Sequence, residues 1–204
     1  MTSRLVKTLV VISIFALAMG YMESAVVVYL RRIYYPEGFS LPLKMMDFKL
    51  GITELFREGA TMIMLITLSM LITTRSLLRF AWFIYAFAIW DIAYYLFLFL
   101  LLGWPPSLLT WDVLFLIPVI WRGPVLAPLI NSFTMIFLAM AILIFNEGGR
   151  TRTMTKWQWM LLLAGSALTI VTYTTSWPGF NWLLFILAEC LFLPAIGLFY
   201  RNKA

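Results

Sequence analysis

The sequence predicts an all-α, polytopic integral membrane protein: a bundle of six full transmembrane helices with one re-entrant or interfacial half-helix. Three observations carry that reading. Of the 204 residues, 63% are hydrophobic and 12% charged, about half the charged share of a soluble domain. Several separate apolar runs each reach the roughly 20 residues that a helix needs to cross a bilayer. The alternation and turn spacing of a membrane β-barrel are missing. The whole of 1–204 reads as a single membrane domain, without an internal repeat or a soluble part.

The first span covers about 5–30. Arg4 and Lys7 precede it, and Ala16 and Ala18 resemble a signal-peptide cleavage site. Apolar character resumes after Glu23 and runs to Leu30, so an uncleaved helix is expected. Arg31 and Arg32 close it. Residues 31–50 mix charge with Tyr34, Tyr35 and Phe39, and Pro36, Gly38 and Pro42 interrupt any long helix. This stretch reads as an interfacial segment with aromatic anchors.

The second span, about 51–74, opens with Glu54, Arg57, Glu58 and Thr61. Residues three and four apart share a helix face, so these four form one polar stripe on an otherwise apolar helix. The third span, about 80–102, carries Asp91 near its middle, with Tyr94 and Tyr95 on the same face. After a Trp- and Pro-rich turn, residues 112–121 are apolar but too short to cross, and Pro118 interrupts them. They read as the half-helix. Irregular backbone at that depth needs protein or a water-filled cavity around it. Full spans follow at about 124–145, 157–175 and 182–200. Pro194 lies in the last of these, and Glu189 shortly before it.

With six crossings both termini lie on one side. Arg4, Lys7, Arg75, Arg79, Arg150, Arg152, Lys156, Arg201 and Lys203 gather there, against Arg31, Arg32, Lys44 and Lys49 opposite. The excess of Lys and Arg places both termini in the cytoplasm of a cell (plasma or inner) membrane. A full span at 112–121 would instead make seven crossings. The net charge of +6 is therefore a topology signal, and nucleic acid is not an expected partner. The expected partners are the bilayer itself and other membrane proteins or further copies of the chain.

Absences narrow the chemistry. There is no histidine and one cysteine, Cys190. Haem held by histidine, His-ligated metals and Ser-His-Asp catalysis lack their histidine within this chain, and a single cysteine cannot build a thiolate cluster, so His- or Cys-ligated metals are not expected. Ionisable groups in hydrocarbon cost several kcal/mol unless paired or hydrated, and are kept mainly where they act. The candidate buried polar site is therefore Glu23, Glu54, Arg57, Glu58 and Asp91, with Asp112 and Arg122 at its mouth. Arg57 can neutralise Glu54 or Glu58 as a structural ion pair. An unpaired carboxylate in low dielectric takes up a proton and can carry it. Glu23, Glu54, Glu58 and Asp91 could also offer oxygen ligands to a hard cation. Trp104, Trp111, Trp121, Trp177 and Trp182 read as an aromatic belt at the outer interface.

Three functions fit. A small proton- or cation-coupled transporter would use the carboxylates as carriers. A membrane enzyme acting on a lipid-like substrate would use them as acid, base or metal ligands, with Arg122 on the head group. A non-catalytic subunit of a larger membrane complex would use them to seal a helix interface.

Overall fold

The computed structural model describes residues 1–39, 47–147, 151–176 and 178–201. The expectations for Lys44, Arg150, Trp177 and Lys203, and for the middle of the interfacial segment, lie outside the described residues. Six helices and one hairpin follow in order: α1 (Ser3–Tyr34), α2 (Phe48–Ile72), α3 (Ser76–Leu102), β1 (Trp111–Phe115), β2 (Trp121–Pro124), α4 (Leu126–Phe145), α5 (Lys156–Thr175) and α6 (Trp182–Arg201).

Local sequence accounts for the helix ends. Thr2 caps α1 by accepting the Leu5 N–H, and Asp47 caps α2 by accepting the Lys49 N–H. Thr155 and Gln158 form a reciprocal capping box at the start of α5. Gly103, at φ 63°, takes the left-handed conformation that ends α3. α1 runs on past Arg31 and Arg32 to Tyr34.

α2 is built inside out relative to a helix of a soluble bundle. On α2 the buried face is Glu54, Glu58, Thr61, Leu65 and Ser69, while Phe56, Ile63, Met70 and Leu71 are exposed. Five helices are long and apolar enough to cross a membrane: α1, α2, α3, α4 and α6. α5 has comparable length but carries Gln158, Ser166, Thr169, Thr172, Thr174 and Thr175, which lower its hydropathy below that of its neighbours. The expected six full transmembrane helices are thus five by apolar length, with α5 the exception.

The helices alternate in direction, and each end of the bundle has its own set of contacts. At one end the Thr2 N–H meets Glu147, Arg75 Nη2 donates to Asn146 Oδ1 at 2.7 Å, and Arg152 Nη1 donates to the Phe199 carbonyl at 2.8 Å. α1 and α4 both pack on α3, and α5 packs on α6. The backbones of α1 and α3 approach closely where they cross. A Cβ added at Gly20 would lie 2.6 Å from Ala93 Cβ and 2.9 Å from the Trp90 carbonyl oxygen. Ser24, one turn later, donates to the carbonyls of Gly20 and Tyr94. Ala16, Gly20 and Ser24 form a stripe of small buried residues that lets the two backbones approach.

The segment 112–121 is a correction to the expected all-α architecture. No half-helix forms there. β1 and β2 pair antiparallel, with Asp112 opposite Gly123, Val113 opposite Arg122 and Phe115 opposite Trp121. The physical reason lies in VLFLIPVIW. Its β-branched and aromatic residues favour an extended chain, and Pro118 removes the donor that a helix needs at its centre. The hairpin enters the bundle. Phe115 stacks on Phe87 of α3, Trp121 on Tyr173 of α5, and the Leu116 N–H reaches Glu58 of α2. A Cβ at Gly123 would lie 3.1 Å from the Tyr173 ring, so the second strand sits closely on α5.

Candidate functional site

The close approach at Gly20 and Ser24 sets Glu23 of α1 beside α3. The polar stripe of α2 faces the same space, and the hairpin closes it. The result is a charged chamber of about 100 Å³ whose wall includes Glu23, Arg31, Glu54, Arg57, Glu58, Asp91 and Asp112. Five of the chain's nine acidic side chains converge here with two arginines.

Each carboxylate accepts from at least one donor. Arg57 bridges two of them: Nη1 donates to Glu23 Oε2 at 2.5 Å, Nε donates to Glu54 Oε2 at 2.9 Å, and Nη2 pairs with Glu54 Oε1. This fork joins α1 to α2. Glu58 does not pair with Arg57; its carboxylate accepts the Leu116 N–H at 3.0 Å. Asp91 Oδ2 accepts from Ser132 Oγ of α4 at 2.8 Å. Asp112 Oδ1 accepts from Arg31 Nη2 at 3.1 Å, and Asp112 Oδ2 accepts the Tyr94 hydroxyl at 3.3 Å. Among the described residues, no group of three or more Asp, Glu or Cys side chains is placed to hold a metal ion. The proposed ligand set of Glu23, Glu54, Glu58 and Asp91 is spread around the wall rather than focused on a point.

Asp112 stands within the site, not at its mouth. It is 2% exposed. Burial pushes its carboxyl up to about 6, and the Arg31 guanidinium holds it from rising further. Arg122 lies on β2 opposite Val113 and is not among the residues lining the chamber. The arginine that the fold supplies is Arg31, which the sequence reading treats as a helix terminator. Its guanidinium lies between Trp104, 3.8 Å from the ring centroid, and Phe39, at 4.4 Å. A signal was present: Glu23, Val27 and Arg31 recur every four residues and share one face. Trp104 thus does more than anchor an interface, and Trp121 packs inside the bundle on Tyr173.

A second cavity, of about 560 Å³, adjoins the first. Its wall is mostly apolar and aromatic, including Phe83, Phe87, Phe115, Met135, Leu162 and Phe192. Asp91 and Leu114 belong to the walls of both. Glu189 of α6 borders this cavity through two residues of its wall. It accepts from Asn131 Nδ2 at 2.6 Å and from Thr134 Oγ1 at 2.7 Å, while the Tyr173 hydroxyl donates to Asn131 Oδ1 at 2.5 Å. That network ties α6 to α4 and α5.

No protein-family model, curated protein or solved structure matches this chain. Its functional reading rests on the geometry of the two cavities.

Proposed function

We propose that the protein is a multi-pass membrane protein that binds an amphipathic, lipid-like molecule. The polar head occupies the charged chamber and the hydrocarbon part occupies the apolar cavity. One observation carries the reading: a small chamber lined by ionisable groups opens beside a large apolar cavity, and Asp91 with Leu114 forms the shared wall. Ligand sites combine apolar bulk with a few placed polar groups that fix orientation, and this division matches a molecule with one charged end. Glu58 and Asp91, the two carboxylates outside the ion pairs, are the groups able to exchange a proton with a bound head. This favours the lipid-substrate reading over a cation carrier, because Arg57 already bridges Glu23 and Glu54.

In this reading α5 crosses the membrane beside α6, giving six crossings. The end carrying Arg4, Lys7, Arg75, Arg79, Arg152 and Lys156 faces the cytoplasm. Shared end contacts between the N-terminus, Asn146, Glu147 and Arg152 support the alternation.

The test is lipid retention. Protein purified in mild detergent is expected to carry a stoichiometric amphiphile, detected by native mass spectrometry and identified after extraction. Ser166→Trp and Met135→Trp place bulk in the apolar cavity and are expected to release it while the protein stays folded. Retention unchanged in both variants would sink the proposal.

A further inference from the structure

The donors and acceptors in the chamber do not balance, and the imbalance describes the missing partner. Arg31 uses Nη2 on Asp112. Its Nη1 is buried and meets no hydrogen-bond acceptor among the described residues. Trp104 and Phe39 hold the guanidinium plane from either side, and the side chain is 9% exposed. Trp90, also in the chamber wall, carries a second buried N–H without an acceptor among the described residues. Native interiors rarely leave such donors unmet.

The acceptors show the opposite excess. Glu58 receives one backbone N–H and Asp91 one hydroxyl, though a carboxylate has about four lone-pair sites. Neither has a guanidinium or ammonium partner among the ion pairs of the described residues. The chamber therefore calls for an N–H-bearing cation on one side and an oxygen acceptor on the other. The carboxylates are too dispersed to share a metal ion, so an organic cation suits them better.

Resting on the amphiphile site above, we infer that its head group is zwitterionic. A primary ammonium meets Glu58 and Asp91, and an adjacent phosphate or carboxylate oxygen meets Arg31 Nη1. A quaternary ammonium has no N–H for the open lone pairs. A purely anionic head would bring more negative charge to a wall with five carboxylates and two arginines.

The experiment challenges purified wild-type protein with lipids of matched acyl chains: an ethanolamine phospholipid, a choline phospholipid, a glycerol phospholipid and uncharged diacylglycerol. Free phosphoethanolamine, added as a competitor, separates a lipid head from a soluble source. Native mass spectrometry reads retention. The ethanolamine lipid is expected to be retained about tenfold better than the other two phospholipids, the scale of one charge-assisted hydrogen bond. Glu58→Gln is expected to erase that preference, and Arg31→Lys is expected to weaken retention of all three phospholipids relative to diacylglycerol while keeping their order. Equal retention of every head, or a preference for the glycerol phospholipid, overturns the zwitterion inference and leaves the amphiphile site standing. Displacement of bound phosphoethanolamine by no lipid would assign the head chemistry to a soluble zwitterion. Retention of no lipid at all, diacylglycerol included, overturns the amphiphile reading beneath it.

Discussion

Arg57 shows how one side chain organises this interior. It holds Glu23 of α1 and Glu54 of α2 at once, so its removal leaves two carboxylates in a partly buried site with no cation beside them. Breaking a buried pair in this way costs about 3–5 kcal/mol. Arg57→Gln is therefore expected to lower the unfolding midpoint in mixed micelles strongly. The triple variant that also carries Glu23→Gln and Glu54→Gln should recover most of the loss, because no unpaired charge remains. An Arg57→Gln protein as stable as wild type would show that the fork contributes little. The polar stripe containing Arg57 was legible in the sequence because helical spacing alone puts Glu54, Arg57 and Glu58 on one face. Their partners were not. That Glu54 wins the guanidinium, and that Glu58 turns to a backbone N–H at Leu116, depends on a hairpin far along the chain. Arg31 illustrates the same limit: a helix-terminal arginine reads as a terminator until the fold brings Asp112 and Trp104 to it.

At the level of elements, the crossing of α1 and α3 is a demanding contact. Gly20 admits no side chain, since a Cβ would stand 2.6 Å from Ala93 Cβ. Gly20→Val should force the helices apart and destabilise by about 1–3 kcal/mol, the usual scale of overpacking. Gly51 and Gly59 of α2 have open space where a Cβ would go, so alanine at either should add up to about 1 kcal/mol by removing backbone freedom. Unfolding of the three variants side by side checks the contrast; a stable Gly20→Val protein would remove the crossing from the argument. Helix existence was legible throughout, because runs of apolar residues near 20 long leave few alternatives in a bilayer. The hairpin was not. A ten-residue apolar run around a proline reads equally as half-helix or strand by length. The choice fell to β-branched and aromatic content, and to the docking of Phe115 and Trp121 on neighbouring helices.

Taken whole, the molecule places its ionisable interior at one end and its basic loops at the other. In a background with Cys190→Ala, cysteines at Ser107 and Arg201 should label from opposite faces with a membrane-impermeant maleimide. Labelling of both from one side would contradict six crossings and return α5 to a non-spanning role. Convergence of Glu23, Glu54, Arg57, Glu58, Asp91 and Asp112 in one chamber was foreshadowed only in part by depth: Glu54, Arg57 and Glu58 stand near the start of α2 and Glu23 about two-thirds of the way along α1, whereas Asp91 is at the middle of α3 and Asp112 is on β1. The adjoining apolar cavity had no such signature. Its wall is drawn from five helices and the hairpin, and Phe83, Met135 and Phe192 look like any other core residues along the chain. A void is a property of how surfaces fail to meet, and no run of sequence encodes that locally.

The hairpin also sets an order of assembly. During synthesis α1, α2 and α3 leave the ribosome before residues 111–124. Until then Arg31 lacks Asp112 and Glu58 lacks the Leu116 N–H. Its second strand settles only when α5 supplies Tyr173. The three-helix stage therefore leaves Arg31 and Glu58 without the partners that the finished fold gives them, and the hairpin is the piece that completes the polar interior.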